Sequence, residues 1–462
     1  MLEALQSFVN LVNGLLWDNF LVYALMGTGI YYTIRLGLPQ ISKIGPGFKQ
    51  PFGWVFSKKE KAEDGEMTSF QALATAIAAQ VGTGNLAGVA TAIAAGGPGA
   101  IFWMWISALF GMATNFGEAV LAQKYSQTIN GERTGGPAYY IANGLKNKTI
   151  AKILAGFFAI SIIIALGFVG NMVQSNSIAT AVNAAFGFNK LAIGIVTAIF
   201  ISLILVGGMK RIASFAELVV PFMAALYIIG AFIILFKNPQ TIIPGFKSIF
   251  VGAFTTQAAI GVALGVTMKQ AVRFGIARGL FSNEAGMGST PHAHAVAKVK
   301  HPAQQGMVAM VGVTIDTLVV CTATALVNIT TGAYLMSDAA GVSLTGIEMT
   351  QKAFEIGLGS FGLSFIAIAL FFFALTTIIG WYFFGEANIK YLFGAKSVNA
   401  YRIIVIGFIV LGAVLKVDLV WDLADMFNGL MVIPNLIGLL ILAPQAAAIV
   451  KDYDSTFIKG QR

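Results

Sequence analysis

Long apolar stretches separated by short polar segments make up most of the chain. Ten of them lie near residues 16–34, 69–95, 99–123, 153–181, 190–208, 212–236, 303–330, 361–385, 401–420 and 423–450. A further region, 243–297, is longer and mixes apolar with polar residues. Because a membrane-spanning α-helix needs about 20 mostly apolar residues, the pattern predicts an all-α polytopic membrane protein with about eleven transmembrane helices.

The placement of Lys and Arg indicates how often the mixed region 243–297 crosses the membrane. If only 267–297 crosses, 21 of the 29 basic residues share one side and five share the other, with three inside the region itself. Basic residues collect in cytoplasmic loops. The arrangement therefore predicts an external N-terminus and a cytoplasmic C-terminus, with 238–266 as an outer surface or re-entrant segment. Two full spans within 243–297 would weaken the bias and remain the alternative.

Composition excludes the other broad classes of protein. Only 11% of the 462 residues are charged and 57% are apolar, whereas soluble domains carry about 25% charge. The net charge is +9, and the basic residues lie in short segments between apolar runs. This placement is typical of membrane topology and not of nucleic-acid binding. The single cysteine, Cys321, excludes a disulfide framework. We expect a multi-pass protein of a bacterial or archaeal plasma membrane, surrounded by lipid and functional as a monomer.

Two of the predicted spans are poor membrane helices at their centres. The second carries the segment QVGTGN at 80–85 and the seventh carries GLFSNEAG at 279–286. Each glycine inside a helix costs about 1 kcal/mol relative to alanine. An offset of 198 residues (283 − 85) places Asn283 over Asn85, so that the two interruptions coincide.

The matched interruptions predict two repeats of five spans each. Because five is odd, the second repeat must be inverted in the membrane. The repeats would occupy 68–237 and 267–450, after an N-terminal helix and first cytoplasmic loop at 1–67 and before a cytoplasmic tail at 451–462. Paired interrupted helices in inverted halves are typical of the substrate sites of secondary transporters. Alternatively, these glycines are small packing positions, as the spacing of Gly84 and Gly88 allows.

An opened helix supplies polar backbone groups inside the membrane. Free N–H groups at the start of a half-helix suit a carboxylate, and free carbonyl groups suit an ammonium group or a sodium ion. One pair of breaks therefore favours a small zwitterion together with a cation.

Side chains in two other spans are candidates for the same site. In the ninth span, the adjacent hydroxyls of Thr376 and Thr377 suit a hard cation such as sodium, or bond to carbonyls of their own helix. Trp381 lies on a similar face of that helix and could cover a small substrate or pack at a helix interface. In the fourth span, Phe168 and Gln174 could line the cavity or connect helices.

These segments resemble the signatures of the alanine or glycine:cation symporter family. The similar stretches are Gln80–Ala90 with Gly96–Trp103, Gly279–Gly286 and Thr376–Trp381, and the resemblance extends over residues 15–450. It implies a LeuT-type fold, with a five-plus-five inverted repeat and one extra N-terminal helix. It also implies import of alanine or glycine by symport with sodium.

The resemblance further implies a role for particular residues. It assigns the substrate carboxylate to Gly82, Thr83, Gly84 and Asn85. It assigns the ammonium group to backbone carbonyls around Gly279–Ser282, next to Asn283, with Phe281 and Trp381 as walls of the pocket. It assigns sodium to the carbonyls of Ala78 and Val81 and the hydroxyls of Thr376 and Thr377. A more distant similarity to sodium-coupled neurotransmitter symporters departs at Thr377, which stands where those proteins have Ser and keeps the oxygen. It also departs at Thr83, which stands where they have Leu.

Acidic residues within the spans leave the coupling ion open. Glu284 is expected to pair with Arg278, Arg273 or Lys269, or else to relay protons. A proton-coupled amino-acid transporter acting through Glu284 or Asp316 is therefore the alternative function. A channel fits less well, because matched inverted breaks do not form a continuous pore. The sequence contains no apparent nucleophile–base pair, metal cluster or phosphate loop, so we do not expect an enzyme.

Overall fold

The structure is a computed structural model that describes residues 2–56, 65–255, 267–338, 341–415 and 417–458. The segment before the first repeat contains α1 (Leu2–Asn13), a π-helical stretch Gly14–Leu21, α2 (Val22–Arg35), α3 (Pro39–Ser42) and α4 (Ile44–Phe56). The first repeat contains α5 (Ser69–Gln80), a π-helical turn Gly84–Gly88, α6 (Val89–Gly96), α7 (Ala100–Lys124), α8 (Pro137–Gly144), α9 (Lys148–Ile162), a π-helical stretch Ile163–Gly170, α10 (Asn171–Phe186), α11 (Lys190–Leu205) and α12 (Gly208–Lys237).

The second half begins with a short 3₁₀ turn and continues in helices. It contains the turn Pro239–Thr241, α13 (Ile242–Gly252), α14 (Met268–Asn283), α15 (Pro291–Ala295), α16 (Pro302–Val313), a π-helical stretch Thr314–Cys321, α17 (Thr322–Thr330), α18 (Gly346–Leu358), α19 (Phe361–Phe393), α20 (Val398–Val414), α21 (Val417–Tyr453) and a π-helical end Asp454–Ile458. Two further 3₁₀ turns cover Ala333–Leu335 and Ala395–Ser397. A two-stranded antiparallel hairpin, β1 (Gln127–Ile129) and β2 (Glu132–Thr134), pairs Gln127 with Thr134 in the loop after α7.

Every predicted apolar run coincides with helical structure in the described part of the chain. Eight described helices are long and apolar enough to cross a membrane, and a ninth crossing results if the bent pair Ser69–Gln80 and Gly84–Gly96 is one span. The polytopic all-helical class is thus confirmed. The two other predicted crossings are α11, with 16 residues, and the interrupted pair of α14 and α15, so the count of eleven stays a prediction.

The second predicted span is broken where its sequence is unfavourable for a helix. α5 ends at Gln80, helical structure resumes at Gly84, and the two parts form an angle of 52°. A capping box at Thr68 and Gln71 fixes the start of α5. The residues on both sides of the break are mostly apolar and buried, so the opened backbone also lies inside the molecule.

The seventh predicted span is also broken, but later than its sequence suggested. The predicted interruption at 279–286 is open only in its last three residues, because Gly279–Asn283 belong to α14 and the non-helical segment is 284–290. Gly279 serves packing instead, since a Cβ there would overlap Oγ of Ser107 on α7. The chain turns out of the helix at Glu284, and Gly286 and Gly288 follow with φ of +83° each. We call residues 284–290 the unwound segment.

The two broken spans run antiparallel, as an inverted repeat requires. The start of the first lies beside the end of the second, because the N–H of Met67 donates to the carbonyl of Val296 at 3.0 Å. At the opposite end, a Cβ on Gly96 would lie 3.1 Å from the carbonyl oxygen of Gln270. We name these two ends of the molecule the Met67 face and the Arg273 face.

The segment predicted to lie at or within the outer surface is described only in part. α13 has 11 residues, which is shorter than a membrane crossing requires. Its last residue, Gly252, packs on the backbone of Gly99, with a Cβ position 3.0 Å from the Gly99 nitrogen. The rest of the predicted segment, 256–266, lies outside the described residues.

Candidate functional site

The opening between Gln80 and Gly84, which we call the first break, brings backbone N–H groups to side-chain oxygens. The N–H of Gly82 donates to Oδ1 of Asn85 at 2.9 Å, and the N–H of Thr83 donates to Oε1 of Gln174 at 3.4 Å. Gln174 also donates from Nε2 to the hydroxyl of Thr83 at 3.0 Å. The amide oxygens of Asn85 and Gln174 therefore occupy donors that the family resemblance gives to a substrate carboxylate.

The second break is the point where α14 ends at Asn283 and the unwound segment starts. The last carbonyl groups of α14 lie there. The N–H of Glu284 closes the helix on the carbonyl of Leu280, and the side chain of Gln80 donates to the carbonyl of Asn283 at 2.6 Å. In the described part of the chain, no hydrogen bond reaches the carbonyl oxygens of Phe281 and Ser282. These two oxygens lie at the negative end of the helix dipole and suit an ammonium group.

The two breaks are in direct contact. A Cβ built on Gly84 would lie 3.4 Å from Cα of Ser282 and 3.6 Å from Cδ1 of Phe281. These are ordinary van der Waals distances, so the two breaks pack directly against each other at this point. The two breaks therefore meet at Gly84 and Ser282.

A buried carboxylate joins both breaks. Asp316 is fully buried and accepts from Nδ2 of Asn85 at 2.5 Å and from Oγ of Ser282 at 3.0 Å. The hydroxyl of Thr317 adds a third hydrogen bond at 2.7 Å, and Nδ2 of Asn283 donates to that hydroxyl at 3.2 Å. Three donors satisfy the carboxylate and fix the distance between the two opened helices.

The hydroxyl of Thr377 lies among backbone oxygens of the first break. Its Oγ1 is 3.0 Å from the carbonyl oxygen of Ala78, 3.4 Å from that of Val81 and 3.0 Å from that of Phe373. Three carbonyl oxygens thus surround this hydroxyl, and neutral oxygens are the ligands that a hard cation prefers. The structure thus brings together three of the four residues predicted for sodium.

The fourth residue, Thr376, borders the same group of oxygens. Its hydroxyl lies 2.9 Å from the carbonyl oxygen of Phe373 and 3.4 Å from Sδ of Met223. Both threonines thus share the Phe373 carbonyl, although only Thr377 reaches the break. The Phe373 carbonyl belongs to the same helix as both threonines, which is the contact that the alternative interpretation of these hydroxyls expected.

Two of the predicted pocket residues do not reach the breaks. Phe168 packs on α20, with its ring centroid 5.0 Å from Phe408 and 5.8 Å from Tyr401. Gly279 contacts α7, as described above. Phe281 does lie at the breaks: a Cβ built on Gly84 would lie 3.6 Å from its Cδ1, and its ring centroid is 6.1 Å from that of Trp421.

A cavity of about 260 Å³ opens towards Phe281 from the Arg273 face. Its lining includes five charged residues, Asp18, Arg273, Arg278, Asp422 and Asp425. Arg273 pairs with Asp18, and Arg278 lies 3.5 Å from Asp425. The expected pairing of Glu284 with Arg278 or Arg273 was therefore wrong, because both arginines use acidic partners on other helices.

Glu284 bonds to neutral donors instead. Its Oε1 accepts from Nε1 of Trp381 at 2.7 Å and its Oε2 accepts from Oγ of Ser289 at 2.5 Å. The carboxylate is 2% exposed and lies at the first residue of the unwound segment. Trp381 is thereby connected to the second break, one helical turn beyond Thr377.

The unwound segment is also held by α7 and α21. Glu118, fully buried on α7, accepts from the N–H of Gly286 at 3.0 Å and from Nδ2 of Asn435 at 2.6 Å. Asn435 donates to the carbonyl of Gly286 as well, at 2.9 Å. Both backbone polar groups of Gly286 are thus satisfied by side chains, which offsets the cost of opening the helix in an apolar interior.

Comparison with known proteins gives close relatives over the whole chain. Residues 2–462 match the model of the family described as "Sodium:alanine symporter family". "Sodium/alanine symporter AgcS" of Methanococcus maripaludis is 44% identical over 450 residues, 97% of each chain. "Probable sodium/glutamine symporter GlnT" of Bacillus subtilis is 42% identical over 456 residues, 98% of this chain and 91% of the relative.

A solved structure confirms the fold. The crystal structure of MhsT in complex with L-phenylalanine has a TM-score of 0.58 and 14% sequence identity, and covers 84% of this chain and 99% of its own. At that identity the likeness concerns the fold alone. It confirms the predicted LeuT-type arrangement.

Proposed function

We propose that this chain, which belongs to the sodium:alanine symporter family, imports a small neutral amino acid, alanine or glycine, together with sodium. Its relatives are transporters, so the prediction that it is not an enzyme is confirmed. Sodium-coupled symport of amino acids follows from the family. The identity of the amino acid, the residues that bind it and the direction of transport belong to the proposal.

The observation that carries the proposal is the position of Thr377 against the first break. Its hydroxyl meets the carbonyls of Ala78 and Val81, and the next residue, Gly82, contributes an N–H group to the proposed substrate site. A cation at Val81 and a carboxylate at Gly82 would share one short piece of opened backbone. Each ligand would stabilise the conformation that the other requires, which is a reciprocal coupling free energy.

The substrate site that we propose lies between the two breaks. Gly82, Thr83, Gly84 and Asn85 would bind the carboxylate, and the carbonyls of Phe281 and Ser282 would bind the ammonium group. Gln174 and Asn283 would line the site. Even a Cβ added to Gly84 would lie within 3.4 Å of Ser282 and 3.6 Å of Phe281, so the two breaks lie close together there, and this favours alanine or glycine over larger amino acids.

The distribution of charge supports one orientation of the molecule in the membrane. Lys43, Lys124, Arg133 and Lys390 lie on the Met67 face, where Arg133 donates to the carbonyl of Ala297 at 3.2 Å. Following the positive-inside rule, we assign the Met67 face to the cytoplasm and the Arg273 face to the outside of the plasma membrane.

One chain contains the whole proposed site, so we propose that the monomer is the transport unit. It would open alternately to the two faces by movement of one helix bundle against the rest.

Asp316 favours proton coupling as the second candidate. A fully buried carboxylate that accepts from both breaks would alter their separation if it bound a proton, because it would lose acceptor capacity.

Uptake by the purified chain in proteoliposomes separates the two candidates. We expect labelled alanine to accumulate when an inward sodium gradient is imposed, and not when an inward proton gradient is imposed without sodium. Equal uptake with and without the sodium gradient would contradict sodium coupling. Accumulation driven by the proton gradient alone would support Asp316 as the coupling group.

A further inference from the structure

Glu284 has an unusual backbone conformation for a buried residue. Its φ and ψ are 57° and 14°, in the left-handed region that residues other than glycine rarely adopt. The two other such residues in the described part of the chain, Leu38 and Asn130, are exposed. A strained backbone conformation at the first residue of the unwound segment suggests a function for the side chain of that residue.

The side chain of Glu284 is directed to α19. Its Oε1 accepts the indole N–H of Trp381 at 2.7 Å, and Ser289 holds the other oxygen at 2.5 Å. A hydrogen bond from a neutral donor to a buried carboxylate is short and strong. It also crosses between the second break and α19, the helix that carries Thr376 and Thr377.

The opposite edge of the same indole is held by Gly170. A Cβ built on Gly170 would lie 2.6 Å from Cζ3 and 2.8 Å from Cε3 of Trp381. Nε1 and these two carbons are on opposite edges of the bicyclic ring. The ring is therefore fixed between a backbone of the fourth span and a carboxylate of the seventh, and it is only 4% exposed.

Trp381 lies close to the proposed substrate and sodium sites. It follows Thr377 by four residues, so it lies on the same face of α19 about 6 Å further along the axis. The direction of α19 and of the unwound segment places the indole and Glu284 on the Met67 side of the two breaks, opposite Phe281 and its cavity. A ring at this position closes the site on one side.

We infer that Glu284 is a positioning residue that sets substrate size. By holding the indole of Trp381 against Gly170, it fixes the wall that limits the side chain of the transported amino acid. The inference rests on the proposed function and specifies which part of the site determines its selectivity.

The test is a selectivity ratio, kcat/KM for L-alanine over kcat/KM for L-2-aminobutyrate, which is one methylene longer. We expect the ratio to fall about tenfold in Glu284→Ala and in Trp381→Phe, because one methylene in a fitted pocket is worth roughly 10- to 200-fold. The ratio of the double variant should fall no further than that of the single variants, since Glu284 acts only through the indole N–H that Trp381→Phe removes. Glu284→Gln keeps an oxygen acceptor for the indole and should stay within about twofold of the unmodified chain.

Trp105→Phe is the matched control. Trp105 donates from Nε1 to Oγ1 of Thr322 at 2.9 Å, so the variant loses a similar hydrogen bond elsewhere, and its ratio should not change. Trp381→Phe removes the indole N–H without changing Glu284, and its ratio should also fall. This variant keeps the test decisive if Glu284→Ala does not fold.

Two results would overturn the inference. One is an equal loss of uptake for both amino acids in Glu284→Ala, which indicates a merely structural role. The other is a multiplicative effect of the Glu284→Ala and Trp381→Phe changes, which indicates that they act separately. Uptake that does not depend on sodium would instead refute the proposed coupling, and the ratio would remain measurable.

Discussion

At the scale of single residues, the hydroxyl of Thr377 has the most direct role in the proposed coupling. Thr377→Ala removes an oxygen that lies 3.0 Å from the Ala78 carbonyl. We expect the sodium concentration for half-maximal alanine uptake to rise about tenfold or more, because a contact to a charged group is worth about 1.5–3 kcal/mol. Thr377→Ser keeps the oxygen and should remain close to the unmodified chain. Thr376→Ala should have the smaller effect, and an equal effect of both alanine variants would contradict this geometry.

Two glycines of the same broken span are predicted to respond differently to alanine. At Gly82 a Cβ would overlap Oγ1 of Thr377, whereas at Gly88 no atom lies within 4 Å of the added Cβ. We expect Gly82→Ala to abolish sodium-dependent uptake. Gly88→Ala should be tolerated and could even stabilise its helix by about 1 kcal/mol. Loss of uptake in Gly88→Ala would show that open space at Gly88 is itself required.

The residue scale also shows where helical spacing misleads. Phe168, Asn171, Gln174 and Ser175 follow one another at helical intervals in the sequence, yet only Gln174 reaches the first break. Ser175 donates to the carbonyl of Ile409, and Asn171 donates to Gly167 in its own helix. Phe168 lies within the π-helical stretch Ile163–Gly170, which contains more residues per turn than an α-helix, so its face does not continue into α10. The residue types do not reveal that stretch.

At the scale of elements, the unwound segment depends on side chains from α7 and α21. Asn435→Leu would leave the carboxylate of buried Glu118 without its amide donor. We expect a loss of about 3 kcal/mol in stability, from the cost of a buried charged group without a partner, visible as a lower Tm in detergent. Asn428 lies on the same face of α21, seven residues earlier, and its Oδ1 accepts no hydrogen bond in the described part of the chain. Asn428→Leu should therefore lower the Tm much less, and an equal loss would contradict this account.

The sequence predicted that two spans are broken, and it located the first break fully but the second only in part, at 284–286. In the second span, glycines and polar residues coincide with the opening. In the seventh, Gly279 looks similar but serves close packing on α7. Gly286, Gly288 and Pro291 were the better signals, because a positive φ and a residue that starts a helix mark the true limits of the unwound segment. Residue type alone does not distinguish a glycine that opens a helix from one that packs.

At the scale of the whole molecule, the class, the fold and the family followed from the sequence, whereas the long-range contacts did not. Asp316 meets Asn85 across 231 positions of the chain, and no pattern in the sequence predicts that distance. The same holds for the pairs of Arg273 with Asp18 and Arg278 with Asp425, where the sequence suggested Glu284 as the partner. The packing of the helices determines which of several possible partners a charged residue pairs with.

An odd number of crossings places the two ends of the chain on opposite sides of the membrane. In Glu3→Cys and Ser455→Cys the new thiol is exposed, whereas the native Cys321 is buried. We expect a membrane-impermeant maleimide added to intact cells to label Glu3→Cys, and to label Ser455→Cys only after the membrane is opened. Equal labelling of both variants in intact cells would indicate an even number of crossings, with two full spans in 243–297.

The central claim is that sodium and the amino acid bind to the same opened backbone and therefore stabilise each other. Its most direct test measures alanine affinity at several sodium concentrations and sodium affinity at several alanine concentrations, by equilibrium binding to the purified chain. The account predicts that each ligand raises the affinity of the other by the same factor, about 5- to 150-fold, and that Thr377→Ala removes this mutual effect. An alanine affinity that does not change with sodium concentration would contradict it.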